Sequence, residues 1–129
     1  MVVEKYNQTA YVGQPAILLC RPEVHNDVDW NYRATETSAE YRVYSNKVVY
    51  KRFRNRTSVN QTEDGDFEMI IYNVSLSDAG RYRCIEDKGL GDIHIVQLTV
   101  SGKILFYCHH YLLYADINSK KNHYKWQLY

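Results

Sequence analysis

Two cysteines and a tryptophan constrain the fold of this chain more than any other feature. Cys20 and Cys84 lie far apart in the sequence, and Trp30 follows the first of them. Cysteines at this separation lie opposite each other only if strands from separate regions of the chain face across one core. A tryptophan between them supplies a large apolar side chain against which a bridge would pack. The pattern therefore favours strands arranged around a single core.

Alternation of apolar residues predicts short strands that are separated by turns. Ala16, Leu18 and Cys20 share one face of a run, which is expected to point into the core. No helical repeat, internal repeat or low-complexity tract interrupts this pattern. The runs assigned as strands are residues 14–20, 27–32, 41–44, 48–50, 56–59, 67–72, 81–85 and 93–100.

The run that ends at Cys84 carries a resemblance to a known family. Residues 73–84 read NVSLSDAGRYRC, with Tyr82 two positions before the cysteine. This run resembles the corner between strands E and F of variable-type immunoglobulin (V-set) domains, and the resemblance covers residues 4–101. Within that family the chain resembles non-rearranging chordate surface proteins, such as the butyrophilin-like, junctional-adhesion and myelin-protein-zero groups.

The resemblance implies an all-β Greek-key sandwich of about nine strands with one inter-sheet disulfide, Cys20–Cys84. The runs assigned above then become strands B, C, C′, C″, D, E, F and G in chain order. The domain would span residues 1–102, and residues 103–129 would form a tail outside the family. The resemblance also implies three core residues and one structural salt bridge: Trp30, Leu76 and Tyr82, and Arg56 with Asp78.

The register of strand E stays open in the sequence. The family pattern turns Ile70 inward, together with Glu68 and Tyr72. A charged Glu68 is unfavourable on an inner face. The alternative register turns inward the other three residues of the strand, which are Phe67, Met69 and Ile71.

The loop between strands F and G departs from the family pattern. Rearranging receptors carry an aromatic residue before Gly-x-Gly here, whereas this chain has Lys88 before Gly89-Leu90-Gly91. A glycine-rich bulge is expected from the two glycines. The missing aromatic residue argues against antibody-like pairing of two variable domains.

The face of strands G, F, C, C′ and C″ is the predicted partner-binding surface, since tyrosine and arginine often dominate binding at protein interfaces. The alternative is that these are scattered surface residues of a tyrosine-rich chain. The expected function is an extracellular recognition or adhesion module of an immune-type cell-surface or secreted protein. It would bind another immunoglobulin-like domain or a second copy of itself. The candidate residues are Asn31, Arg33, Tyr41, Val43, Tyr50, Arg81, Arg83, Ile85 and Ile93.

A basic run at residues 51–56 supports two interpretations. It is typical of a solvated edge strand, whose charges prevent edge-to-edge pairing. It also suits binding of a heparin-like or sialylated glycan. The alternative function is therefore a glycan-binding domain of innate immune recognition.

Charge and cysteine content indicate the compartment. A net charge of +1 argues against nucleic acid as a partner. A disulfide belongs in an oxidising compartment, and an extracellular location is expected. Residues 1–5 contain no apolar stretch of a signal peptide, so we expect Met1 to be an added initiator on a mature chain. Four Asn-x-Ser/Thr motifs predict glycosylation at Asn7, Asn55, Asn60 and Asn73.

The tail at residues 103–129 is apolar and aromatic, but its apolar run is far shorter than the roughly 20 residues that cross a bilayer. Any membrane anchor would therefore lie outside this chain. Three interpretations stay open: an alternative ending, an extra element that packs on the sandwich or a partner, and a segment at a membrane surface. Cys108 is a candidate for an interchain disulfide. Zinc binding by Cys108, His109, His110 and His123 is disfavoured, because adjacent histidines do not easily face one ion.

Catalytic motifs are missing from the sequence. No nucleophile stands beside a base in a recognisable pattern, and Gly89-Leu90-Gly91 lacks the third glycine of a nucleotide site. A filled sandwich core also leaves no deep cavity. We therefore expect a binding module with no enzymatic activity, no cofactor and no metal.

Overall fold

Residues 1–102 form two packed β-sheets in the computed structural model, which describes residues 1–108, 111–118 and 123–128 and gives side chains for residues 1–102. Short 3₁₀ turns occur at Lys51–Phe53 and Leu76–Asp78, and a four-residue turn with left-handed residues occurs at Glu86–Gly89. The nine strands of this region are β1 Val2–Tyr11, β2 Ala16–Cys20, β3 Asp29–Arg33, β4 Tyr41–Ser45, β5 Val48–Val49, β6 Thr57–Gln61, β7 Phe67–Ile71, β8 Gly80–Ile85 and β9 Ile93–Ser101.

The larger sheet has the strand order β1-β9-β8-β3-β4-β5, and the smaller sheet has the order β2-β7-β6. Strands β1 and β9 pair in parallel, whereas the other neighbours are antiparallel. The two sheets face each other across one core. This all-β sandwich is the architecture that the resemblance implies.

The disulfide and the indole lie where the sequence pattern predicts them. Cys20 on β2 and Cys84 on β8 form a disulfide with their Cα atoms 6.3 Å apart. Trp30 stands directly opposite Cys84 in the β3–β8 ladder and is fully buried. The bridge therefore joins the two sheets beside the largest side chain of the core.

The structure decides the open register of strand E against the family pattern. Phe67, Met69 and Ile71 point into the core, while Glu68 and Ile70 point outward. Met69 lies opposite Leu18 in the β2–β7 ladder, so the buried face of β2 fixes the register of β7. This register keeps the charged Glu68 out of the core.

A β-bulge corrects the prediction that Val43 contacts a partner. Trp30 pairs with Tyr44 and Asn31 pairs with Arg42, so Val43 is an extra residue on β4. The bulge interrupts the alternation, and both Val43 and Tyr44 point into the core. Val43 is 0% exposed and is unavailable to a partner.

Leu76, predicted as a core residue, is only partly buried and packs against the core from its edge. Val74 occupies the buried position of this corner instead. The reason is local: Val74 exchanges backbone hydrogen bonds with Gln14 and Gly13, which hold it beneath the sheets. Leu76 begins the short helical turn that follows.

The basic run is not an edge strand in the structure. Lys51–Phe53 form a 3₁₀ turn, and the strand that follows starts only at Thr57. Phe53 is fully buried, with its ring centroid 5.7 Å from that of Tyr32 and 6.1 Å from that of Tyr82. Burial of this aromatic ring explains why the chain turns inward here.

The N-terminal strand β1 was not assigned from the sequence. Tyr6 and Ala10 point toward the core, but polar residues alternate with them and weaken the pattern. The Tyr6 hydroxyl donates to the backbone carbonyl of Leu19 at 2.5 Å and accepts from its N–H at 2.7 Å. A side chain of β1 therefore provides hydrogen-bond partners for the backbone of Leu19 at the edge of β2.

The tail contains three further strands, β10 Lys103–Cys108, β11 Tyr111–Asn118 and β12 His123–Leu128. They form an antiparallel sheet in chain order. His109 and His110 lie outside the described residues, and the pairing of Cys108 stays a prediction. None of the helices in the described part of the chain has the length and the apolar character that a membrane span requires.

Candidate functional site

The outer surface of the larger sheet presents a regular grid of side chains from four strands. We call this surface the outer face. Strand pairing places Arg83 between Asn31 and Ile95, and it places Arg81 between Arg33 and Gln97. Because side chains alternate along each strand, these residues all point away from the core. The outer face consists of Asp29, Asn31, Arg33, Arg42, Arg81, Arg83, Ile85, Ile93, Ile95 and Gln97.

Glu40 organises the middle of the outer face. The Nη1 atom of Arg83 donates to both carboxylate oxygens of Glu40, at 2.7 and 2.8 Å. The Nη2 atom of Arg33 donates to Oε2 of the same carboxylate at 3.1 Å. Two arginines that were predicted to bind a partner are therefore already ion-paired within the domain. Their guanidinium groups are held in fixed positions.

Arg81 is held more loosely than its neighbours. Its Nη2 atom lies 3.5 Å from Oε1 of Glu36, whose side chain is 85% exposed. An ion pair with so exposed a partner contributes little stability. Among the ion-paired arginines of the outer face, Arg81 is therefore the one most available to a partner.

Isoleucines form an apolar end on the outer face. Ile85 and Ile95 point outward, but they are only 9% and 8% exposed. Ile93 lies opposite Ile85 and is half-buried. Ile85 was predicted to contact a partner, and the structure leaves little of its surface accessible.

Tyr41 and Tyr50 lie at the margin of the outer face. Tyr41 is 51% exposed, and Tyr50 is 37% exposed. The guanidinium of Arg42 lies 5.8 Å from the centre of the Tyr50 ring. A shallow recess of about 320 Å³ is lined here by Asn31, Glu40, Tyr41, Arg42 and Arg83.

Arg56 and Asp78 lie at the base of the sandwich, where they form a two-pronged ion pair. The Nη1 and Nη2 atoms of Arg56 lie 3.0 and 2.6 Å from the two carboxylate oxygens of Asp78. The amide N–H of Ser75 also donates to this carboxylate. Burial raises the pKa of Asp78, but the bonds from Arg56 and Ser75 outweigh it and hold the pKa below its ordinary value.

The hydroxyls of two tyrosines brace the same corner. Tyr82 donates to the carbonyl oxygen of Asp78 at 2.6 Å, and Tyr32 donates to that of Ala79 at 2.6 Å. Their ring centroids lie 4.8 Å apart. Burial raises the pKa of the Tyr82 hydroxyl, which therefore stays protonated and able to donate.

A buried pair at the opposite end of the domain was missed by sequence reasoning. Oε2 of Glu86 lies 2.6 Å from Nε2 of His94, and both side chains are 2% exposed. The other oxygen of Glu86 accepts from the amides of Glu23 and Val24. Burial raises the pKa of Glu86, but the bonds from Val24, His94 and Glu23 together hold it below its ordinary value.

The predicted glycine-rich bulge between β8 and β9 is a tight turn. Asp87 and Lys88 take left-handed backbone conformations, with φ of 52° and 55°. The amide of Gly91 closes the turn onto the carbonyl oxygen of Glu86 at 2.8 Å. The amide of Lys88 donates to the carbonyl oxygen of Asp27 at 2.7 Å, so this turn is fastened to the segment before β3.

The four predicted glycosylation sites are all exposed. Asn7 points outward beside Gln97, at the β1 margin of the outer face. Asn60 points outward from the smaller sheet, opposite Glu68. Asn55 and Asn73 lie in turns with positive φ. Three of these four side chains are thus remote from the outer face.

The architecture and the sequence motifs agree with one family. The model of the immunoglobulin V-set domain matches residues 3–101, which is most of the chain. The chain belongs to this family. No curated protein sequence is significantly similar to this V-set domain over its length.

Solved structures similar to this V-set domain are themselves immunoglobulin domains. The first Ig domain of the mouse polymeric immunoglobulin receptor is 19% identical, with a TM-score of 0.60 over 73% of this chain and 88% of that chain. The ZIG-8 IG1 domain, solved as a homodimer, is 18% identical, with a TM-score of 0.56 over 78% of this chain and 82% of that chain. Dpr11 IG1 bound to DIP-gamma is 22% identical, with a TM-score of 0.58 over 73% of this chain and 96% of that chain. At these identities the likeness shows the fold alone.

Proposed function

We propose that this V-set domain is an extracellular recognition module that binds another immunoglobulin-like domain through its outer face. A second copy of the chain is the first partner to test. The observation that carries the proposal is the pairing of Arg83 and Arg33 with Glu40 in the middle of the face. Side chains that are fixed before binding lose little conformational entropy when a partner arrives.

Two further observations support the proposal. The outer face combines an apolar end at Ile93 with arginines, and exposed tyrosines lie at its margin. This composition is typical of protein interfaces. Among the solved structures with this fold, ZIG-8 IG1 forms a homodimer, and Dpr11 IG1 is bound to DIP-gamma. An interface formed by two such faces would be symmetric if the partner is a second copy.

The compartment and the immune-type role belong to the same proposal. The Cys20–Cys84 disulfide is stable in an oxidising compartment, which suits a cell-surface or secreted protein. Glycans on Asn55, Asn60 and Asn73 would lie on turns and on the opposite sheet, so they would leave the outer face free.

The test replaces Arg81 with glutamate and compares the variant with an Arg21→Glu control. Arg81 lies on the outer face, whereas Arg21 follows β2 in the other sheet, and each change alters the charge equally. We expect sedimentation velocity from micromolar to millimolar concentration to show self-association. Arg81→Glu should weaken it by about 2 kcal/mol, roughly thirtyfold, because a carboxylate is left unpaired in the interface. Arg21→Glu should leave it unchanged.

Two outcomes would reject the proposal in stages. A sedimentation coefficient that does not change with concentration excludes self-association. Binding to a panel of extracellular immunoglobulin-like domains then tests a different partner. If every binder retains its affinity for the Arg81→Glu variant, the outer face is not the binding surface. Charge reversal at Arg83 is a poor test, since it places a second carboxylate against Glu40 and unfolds the site.

A further inference from the structure

The arginines of this domain fall into two groups. Within residues 1–102, Arg21, Arg33, Arg56, Arg81 and Arg83 each take part in an ion pair. No ion pair within that range involves the remaining three or the lysine beside them. Three of these four residues follow edge strand β5 in the chain and the fourth lies on the neighbouring strand β4, and we call the four residues the basic ridge. The basic ridge consists of Arg42, Lys51, Arg52 and Arg54, and all four are exposed.

Local structure explains why the cations of the basic ridge point outward. Lys51 and Arg52 occupy a 3₁₀ turn whose third residue, Phe53, is fully buried. With three residues per turn, the side chains before Phe53 must point away from the core. Arg54 leaves the turn in extended backbone with φ −62° and ψ 142°.

Aromatic rings position two members of the basic ridge. The guanidinium of Arg52 lies 4.9 Å from the centre of the Tyr32 ring, and its Nη2 atom donates to the carbonyl oxygen of Ser77. The guanidinium of Arg42 lies over the ring of Tyr50. Tyr50 connects the two parts of the ridge. Its backbone N–H donates to the carbonyl oxygen of Val43, which follows Arg42, and Tyr50 itself directly precedes Lys51 in the chain. These contacts hold cations in place without neutralising them.

Protection of a sheet edge does not account for the basic ridge. Charged residues protect an edge when they stand on an edge strand and block pairing with another strand. Lys51, Arg52 and Arg54 stand on a 3₁₀ turn and the residue after it, beyond the end of β5. The charges of these three residues therefore face solvent where no strand edge needs protection, and only Arg42 stands on a strand.

We propose that the basic ridge binds a sulfated polysaccharide at the margin of the outer face, with which the ridge shares only Arg42. A row of unneutralised cations attracts a linear polyanion, although the chain as a whole carries a net charge of only +1. The disulfide indicates an extracellular compartment, whereas nucleic acids and the anionic leaflet of the plasma membrane belong to the cytoplasmic side. The exposed ring of Tyr50 offers an apolar surface and a hydroxyl to a sugar.

The test measures binding of a heparin-derived decasaccharide by calorimetry. The ridge variant is Lys51→Ala with Arg54→Ala, and the control is Lys5→Ala with Arg21→Ala, which removes the same charge elsewhere. Each cation of the ridge is expected to contribute roughly fivefold at physiological salt, by release of one counterion. The ridge variant should therefore bind about 25-fold more weakly. The slope of log affinity against log salt concentration should become shallower by about two released counterions. The control should change affinity less than about twofold, because its charges lie away from the site.

Several results would overturn the proposal. Equal losses in the two double variants would mean that overall charge, not the ridge, attracts the decasaccharide. Binding of an unsulfated polymer of the same length with similar affinity would exclude recognition of sulfate. Absence of heparin binding, or preference for phosphatidylserine vesicles, would also reject it. Arg42→Ala provides a second variant, with an expected loss of roughly fivefold, if the ridge variant fails to fold.

Discussion

Three carboxylates, Glu40, Asp78 and Glu86, each bind groups from different segments of the chain. Glu40 accepts from two arginines on neighbouring strands of the outer face. Asp78 is buried at the base of the sandwich, and Glu86 is buried at the opposite end. Both also accept hydrogen bonds from backbone N–H groups. Because these two carboxylates stabilise the fold only when ionised, the stability of the domain depends on pH.

Acid should weaken the domain through Asp78 and Glu86. Both carboxyl groups have a folded pKa below their ordinary values of 3.8 and 4.5. Their contribution is complete above those values and is lost as pH falls through the folded pKa, since the unfolded state then binds more protons. Urea unfolding at a series of pH values should show a midpoint that declines below about pH 5.

The Glu86→Gln variant separates the contribution of Glu86 to the pH dependence from that of Asp78. The amide keeps the shape but cannot ionise, so the variant should be less stable at pH 7 and lose less stability on acidification. Glu63→Gln, in an exposed turn, is the control and should follow the parent chain. A midpoint that stays constant down to pH 3 in the parent chain would contradict the role of these carboxylates.

At the scale of elements, β1 and β2 illustrate how one side chain completes a sheet edge. The smaller sheet ends at β2, and β1 pairs with β9 in the other sheet. The Tyr6 hydroxyl therefore bonds both backbone groups of Leu19 where a neighbouring strand would have bonded them. Burial is the main cause that raises the pKa of Tyr6, which keeps its hydroxyl protonated.

Tyr6→Phe should leave the amide and carbonyl of Leu19 without these partners. The expected loss of stability is about 1–2 kcal/mol, because two hydrogen bonds to partly buried backbone are removed. Amide exchange measured by NMR should accelerate at Leu19 more than at Leu18. Tyr11→Phe is the matched control, since Tyr11 is exposed. Unchanged exchange at Leu19 in Tyr6→Phe would show that the hydroxyl is dispensable.

The elements differ in how far the sequence predicts them, for physical reasons. Runs with a buried face, such as Ala16, Leu18 and Cys20, alternate clearly and were predicted correctly. The register of β7 depends on contact with Leu18 across the sheet, which no local pattern records. The bulge at Val43 and the burial of Phe53 are likewise decided by packing, so the prediction that Val43 lies on the surface is wrong.

The residues of the outer face were largely predicted, but their pairing was not. Alternation indicates that Arg81 and Arg83 point outward, whereas the bonds to Glu40 depend on the course of the loop before β4. The Glu86–His94 pair joins a turn to a strand. In the sequence Glu86 resembles an ordinary polar loop residue, and His94 is a single polar residue within the run 93–100. Only the three-dimensional structure distinguishes such a buried pair from solvated side chains.

For the whole molecule, the disulfide is the covalent link between the two sheets. Cys20 and Cys84 enclose a loop with a sequence separation of 64. Replacing both with alanine should destabilise the domain by about 2–5 kcal/mol, since the unfolded chain gains freedom and the core loses two buried sulfurs. Thermal unfolding under non-reducing conditions measures this loss. A control with Cys108→Ala should melt like the parent chain, and equal melting of all three proteins would contradict a structural role for the bridge.

Parallel pairing of β1 with β9 places the two ends of the domain at opposite poles. Met1 lies beside Ile93, whereas Tyr11 lies beside Ser101 at the end of β9. The nine residues of β9 separate these poles by roughly 30 Å. Domains with this geometry, if joined end to end, would form an extended chain. Each added domain would then lengthen that chain by about the distance between its two poles.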